Sequence, residues 1–330
     1  MGRRNRLFAL LCCLLLGGGL LVAFSTGGED GHPHGAGSAA GPAPEDFTDI
    51  RLVPADAPAP RPGPDASTGS VRVDCGRTED GHYNQDNLVV SPGLRGGAHH
   101  THAYVGNTST DALSTDRSLA AAPTTCRNGD RSAYYWPVLR RTDRPARLPY
   151  EKAAGHGNAG GVLVPADVRV EFRGNPVAKV VPMPRFLRAL TGDAVAYTEG
   201  DTGKVRARWG CASLPDRATT RYPRCPTDGD RLTRTLVFPS CWNGLDTDRP
   251  DRTHLTFPAP NGVCPPDRFA IPELRLTLAY ALPAADTPIA LDSFPEQRHS
   301  PLTDHAMFVN VMTDHQMEGV VHCLNSGRRC

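Results

Sequence analysis

The chain has 330 residues, a formal net charge of +1 from 36 basic and 35 acidic side chains, and 39% hydrophobic residues. That balance offers no basic excess for nucleic acid and no acidic tail. The 33 glycines and 31 prolines punctuate the chain too often for a long helical repeat.

Residues 1–25 read as a secretory signal peptide. Arg3, Arg4 and Arg6 form a positive start, residues 7–24 are apolar and uncharged, and Ala23-Phe24-Ser25 offers a small-x-small cleavage site. An uncleaved anchor is the alternative, because the apolar run is just long enough to span a bilayer. Only then would the chain meet a membrane. Cleavage removes three arginines and no acids, which leaves the mature chain slightly acidic. Residues 26–70 are rich in Gly, Ala, Pro, Asp and Ser and poor in core formers, so a disordered linker is expected. His32 and His34 lie in it and are expected to be solvated, with contact to a metal as the alternative.

Residues 71–330 form one block, long for a single domain but acceptable for an all-β unit. "HHTHAYVGN", residues 99–107, reads as a strand with three histidines. A short helix is expected near "STDRSLAAA", capped by Ser114 or Thr115. "SAYYWPVL" (132–139), "GVLVPADVRVEF" (161–172), "RLTRTLVF" (231–238) and "HAMFVNVM" (305–312) are strand candidates. The clearest is "ELRLTLAY", where Leu274, Leu276, Leu278 and Tyr280 alternate with Glu273, Arg275, Thr277 and Ala279. A second helix follows in "TDHQMEGVVHCL", with Thr313 as N-cap and Gln316 completing a capping box. The expected fold is mainly β: a single disulfide-bonded β-sandwich or jelly-roll-like domain with short helices.

Two of the ten cysteines fall in the leader. The others are Cys75, Cys126, Cys211, Cys225, Cys241, Cys264, Cys323 and Cys330, an even count that behind an export signal reads as a disulfide framework. Each bridge would contribute about 2–4 kcal/mol. Local pairs such as Cys211–Cys225 and Cys241–Cys264 would close short loops. The mature chain has no C-x-x-C, so zinc-ribbon spacing is absent.

Alternate side chains of a strand share a face. His100, His102 and Tyr104 are therefore expected to point one way, and His99, Thr101 and Ala103 the other. Such an H-x-H pair can chelate one divalent ion (zinc, copper or calcium) if further ligands arrive from elsewhere. The candidates are His82, His254 and His305, with Asp86, Asp251 and Asp304 as ligands or as groups that orient ligands. For catalysis the residues are His100, His102 and His305, as metal-bound or acid–base imidazoles. A hydrogen-bonded pair on a wet strand is the alternative. Tyr104, Tyr134, Trp136 and Trp242 are candidate sugar-stacking aromatics, with core packing as the alternative for the Tyr134–Trp136 run and packing over the Cys241 disulfide for Trp242. Asn107-Thr108-Ser109 matches a glycosylation acceptor, meaningful only in a eukaryotic host. No G-x-S-x-G, phosphate-cradling loop or H-E-x-x-H is present.

Residues 71–324 resemble the DUF1996 family, secreted proteins of fungi and actinobacteria without an established function. The resemblance is carried by "VDCGRTEDGHYNQDNLVVSPG", "AHHTHAYVGNTSTDALST", "SLAAAPTTC", "SAYYWPVL", "FPSCWNGLDTDRPDRTHLTFP", "GVCPP" and "HAMFVNVM". It implies that His82, His100, His102, His254 and His305 occupy the family's histidine positions. Three departures stand out: Gln85-Asp86-Asn87 replaces an Asp-Asp-Pro, Arg252 stands near a frequent histidine, and Met307 replaces the acid of H-A-D-F. The expectation is a secreted or envelope-associated monomer acting on extracellular or cell-wall polysaccharide through a metal-binding histidine cluster. The alternative is a non-catalytic glycan- or envelope-binding module.

Overall fold

The computed structural model describes residues 41–78, 81–152 and 157–330. The expected leader and residues 26–40 of the expected linker lie outside the described residues. The described chain is mainly β, with nineteen strands, a few short helices and four disulfides. No described helix is long and apolar enough to cross a membrane.

Two antiparallel sheets dominate. The six-stranded sheet runs in the order Leu214–Thr219, Arg208–Cys211, Arg231–Val237, Glu273–Ala281, Asp167–Arg173 and Ser70–Val73. The five-stranded sheet runs Tyr83–Asn84, His102–Gly106, Ala133–Pro137, His305–Val309 and Arg188–Gly192. Period-two alternation turns one face of each sheet toward the other. Leu274, Leu276, Leu278 and Phe172 meet Tyr134, Trp136 and Phe308, all of them at most 1% exposed. The Phe308 ring lies 5.1 Å from Tyr134 and 6.2 Å from Phe172, centroid to centroid. Each such side chain contributes about 1.5–3 kcal/mol by leaving water.

The far face of the five-stranded sheet is covered as well. Tyr104, Tyr135, Met307 and Val309 pack there under Leu88, Val89 and Leu119. Leu119 belongs to the helix Asp116–Ala121, capped by Thr115. The second expected helix, Asp314–Asn325, carries the Thr313–Gln316 capping box and buries Met317, Val320, Cys323 and Leu324 on one face.

Several expected elements are subdivided. Residues 161–172 form two strands, Gly161–Leu163 and Asp167–Arg173, separated by Pro165, whose missing N–H interrupts the ladder. Residues 132–139 break at Val138, where the chain leaves the five-stranded sheet for a three-stranded one. The linker reading also needs correction over residues 44–53. Phe47–Asp49 pairs in parallel with Tyr222–Arg224, Phe47 packs at 5.2 Å from Tyr222, and Ile50 is fully buried. Two apolar residues at this spacing suffice to dock the segment, although the composition around them is that of a linker.

The disulfides are Cys75–Cys126, Cys211–Cys225, Cys241–Cys264 and Cys323–Cys330. Both short loops expected from the spacing are closed.

Candidate metal centre

Three histidines converge at one end of the five-stranded sheet's outer face. His102 begins one strand and His305 begins another, and the Ala133–Pro137 strand lies between them. His102 stands opposite Pro137, and His305 stands opposite Gly192. His100 comes from the loop before the strand. His99 adopts a left-handed φ of 55°, so the strand starts at His102 and not at His99. The bend folds His100 back onto its neighbours: its Nε2 lies 3.1 Å from His102 Nε2 and 3.3 Å from His305 Nε2. Gly192 is required beside them. Its φ is 80°, and a Cβ there would sit 2.1 Å from the Asp304 carbonyl oxygen.

The tautomers follow from the partners. His102 Nδ1 lies 2.9 Å from the Asp86 carbonyl oxygen, and His305 Nδ1 lies 2.7 Å from that of Thr303. A carbonyl only accepts, so both Nδ1 atoms carry the proton and both neutral rings aim an Nε2 lone pair at the cluster. His100 Nδ1 is buried without a hydrogen-bond partner. A proton on His100 Nε2 can bridge only one of its two contacts, which leaves lone pairs facing one another. Protonation does not relieve this. Burial, then the nearby His305, pushes His102 down to about 3. Burial, followed by His102, His305 and His99, pushes His100 well below the usual range. Burial lowers His305 too, against the opposing pull of the Thr303 carbonyl and Asp304. Three ring nitrogens grouped in this way could hold a metal cation.

The spacing fits one. Imidazole nitrogens ~2.0–2.1 Å from a zinc-sized ion stand about 3.3 Å apart when their mutual angles are tetrahedral. One ring nitrogen from each of the three histidines lies within 4.8 Å of the other two. Cys211, Cys225 and Asp230 also lie close together, but those two sulfurs are bonded to each other.

Two buried ion pairs stiffen the backbone that carries the rings. Arg140 and Asp292 are each 1% exposed, and the Asp292 carboxylate accepts the N–H of Thr101, between His100 and His102. Arg234, also stacked on Trp209, pairs with Asp304, the residue before His305. The Tyr104 hydroxyl lies 2.7 Å from Asn84 Oδ1 and 2.9 Å from the Asp86 carbonyl that orients His102.

A cavity of about 550 Å³ opens onto the cluster, lined by His100, His305, His254, Phe257, Phe294, Arg206 and others. Phe294 meets His100 edge-on at 5.3 Å. A larger groove of about 840 Å³ runs along charged residues such as Arg72, Glu171 and Arg275 and contains no histidine.

The other expected site residues fall elsewhere. His254 lines the cavity, but its Nε2 lies 2.7 Å from the Arg188 carbonyl and it stays outside the triad. His82 is turned away, with Nε2 3.0 Å from the Thr110 carbonyl and its ring stacked on Tyr104. The Asp86 carboxylate accepts the N–H groups of Gly96 and Ala112, so this residue orients His102 through its carbonyl and contributes no carboxylate ligand. Asp304 is committed to Arg234, and Asp251 accepts from Thr253 on the cavity rim. Tyr134 and Trp136 face the inter-sheet core and offer no surface to a sugar. Tyr104 is sandwiched between His82 and Tyr135. Trp242 is partly exposed and donates from Nε1 to the Asp246 carbonyl. Asn107 is 1% exposed and donates to Leu119 and Arg131 carbonyls, which leaves no room for a glycan. Sequence reasoning missed Arg140, Asp292, Arg234, Gly192, Phe294 and Arg206. None lies in a motif, and charged residues in strands read as solvent-facing.

A family model described as "Domain of unknown function (DUF1996)" matches residues 87–311, and the chain belongs to that family. No curated protein and no solved structure matches it.

Proposed function

For this DUF1996 protein we propose that His100, His102 and His305 hold one divalent transition-metal ion, the reaction centre of an exported enzyme acting on extracellular polysaccharide. The observation that carries the reading is the convergence of two Nε2 lone pairs, fixed by the Asp86 and Thr303 carbonyls, on His100. An all-imidazole set suits zinc or copper, whereas calcium takes oxygen ligands. Such an ion, when bound, polarises a substrate oxygen or acidifies a water. The chain's own residues do the rest. The two carbonyls hold the rings in one tautomer, the buried ion pairs keep the backbone from yielding, and the cavity admits substrate from the His100 and His305 side.

Four disulfides support an oxidising, extracellular setting. Phe257 and Phe294 in the wall of the largely apolar cavity, with Arg206 beside them, support a substrate such as a sugar ring that offers both a ring face and polar groups. The non-catalytic glycan-binding reading has less to stand on, because three of its four aromatics are buried.

Elemental mass spectrometry on protein exported by cells grown with zinc and copper tests the centre. The expected result is about one equivalent of metal in the native protein and none in His102→Ala or His305→Ala, with circular dichroism unchanged. A native protein that carries neither metal and takes up neither on titration overturns it.

A further inference from the structure

We propose that the cavity in front of the histidines takes an oxyanion-bearing sugar, anchored by Arg206. The inference deepens the metal-centre reading, which supplies the other wall of the same cavity, yet Arg206 would hold an anion with or without metal.

Three cations line this cavity: Lys204, Arg206 and Arg252. Two are spoken for. Lys204 Nζ lies 2.8 Å from Glu199 and 3.6 Å from Asp193. Arg252 pairs with Asp248 and donates to the Val89 carbonyl. Arg206 differs: among the described residues no carboxylate pairs with it. Its Nη1 donates to the carbonyls of Gly203, at 2.6 Å, and Val205, at 2.9 Å. Its guanidinium carbon lies 4.5 Å from the centroid of Phe257, another cavity residue. These contacts fix the plane of the fork, and among the described residues no acceptor meets the edge formed by Nε and Nη2.

A guanidinium held in this way has already lost most of its rotamer freedom. It presents two parallel N–H groups at the spacing of two oxygens on one carboxylate or phosphate. Arg206 is half-buried, so the attraction is less screened than at an open surface. The cavity volume of about 550 Å³ falls within the ~300–1,000 Å³ of small-molecule sites and suits a terminal sugar or a short stretch of polymer. The chemistry is shared by the carboxylate of a uronic acid and the phosphate of a phosphorylated sugar.

Calorimetric titration of the purified protein, metal-loaded and chelator-treated, with glucuronate, inorganic phosphate and glucose tests this. Glucuronate, phosphate or both are expected to bind at millimolar levels in either preparation, and the preferred one identifies the source. Glucose should not bind. Arg206→Gln should weaken oxyanion binding at least tenfold, and Arg206→Lys should recover little of it, because an ammonium cannot bridge two oxygens. Thermal unfolding of both variants checks that the fold is kept. Binding that vanishes on chelation but survives Arg206→Gln would place the anion on the metal, overturning the Arg206 proposal and leaving the metal reading intact. Arg206-dependent binding in a protein that never takes up metal would do the reverse. Equal binding of glucose, or none of any ligand, overturns the oxyanion proposal.

Discussion

The two faces of the five-stranded sheet are both buried, by different means. The inner face, with Tyr134, Trp136 and Phe308, is apolar and matched to another sheet. The outer face, one residue out of step along the same strands, carries His102, His305, Tyr104 and Tyr135 under loops. The inner face is held by area removed from water, which is non-directional and shared among many side chains. The outer face depends on individual acceptors: the Asp86 and Thr303 carbonyls each orient one ring. Stability should therefore reside mainly on one side and ligand chemistry on the other.

Substitutions can break that division. Trp136→Ala should cost about 3–5 kcal/mol in urea unfolding, the largest effect expected. Asp304→Asn strips the charged partner from buried Arg234 and should cost about 3 kcal/mol. Because His305 is the next residue, the same change should also weaken metal uptake, so this variant joins the two faces. A third test adds metal. Zinc at a hundredfold excess over its dissociation constant should stabilise the native protein by about 2.7 kcal/mol and leave His102→Ala unmoved. A stabilisation that persists in the alanine variant would put the ion elsewhere. Gly192→Ala should cost about 1–3 kcal/mol, from a left-handed φ and a clash with the Asp304 carbonyl, and should loosen His305.

The smallest effect per step is on pH. The three imidazoles are depressed in the folded state, so the unfolded chain takes up protons first as pH falls below 6.5. For His102 the window runs from 6.5 down to about 3. Metal-free protein should lose roughly 1 kcal/mol per pH unit for each histidine in such a window, and gain nothing further above it. The slope should flatten in His102→Ala. An unchanged slope would mean that His102 does not carry the linkage.

Much of the architecture is local and was therefore legible. Period-two alternation in residues 273–280 placed four side chains in the core, and Thr313 with Gln316 marked the start of a helix. Cysteine spacing anticipated the two bridges that close short loops. The H-x-H pair stood out because both residues lie within one strand's reach. The third ligand was harder to pick. His305 stands beside the pair as a catalytic candidate, but it lies 205 residues from His100, and His82 and His254 stand with it as ligand candidates until strand order is known. His82 and His254 have the right side chain, but each turns its Nε2 to a backbone carbonyl away from the triad.

Sequence by itself determined the class of fold, the disulfide-rich character and the residue types available for chemistry, because each follows from composition or from neighbours a few positions apart. Tertiary structure alone decided which histidines meet, that Asp86 orients and does not ligate, and that four charges in strands and loops form buried pairs behind the site. Those outcomes depend on the register between strands far apart in the chain and on one left-handed residue, His99, that turns a third imidazole back toward the other two. No local pattern encodes them, since the free energy that selects them is released only when the sheets close.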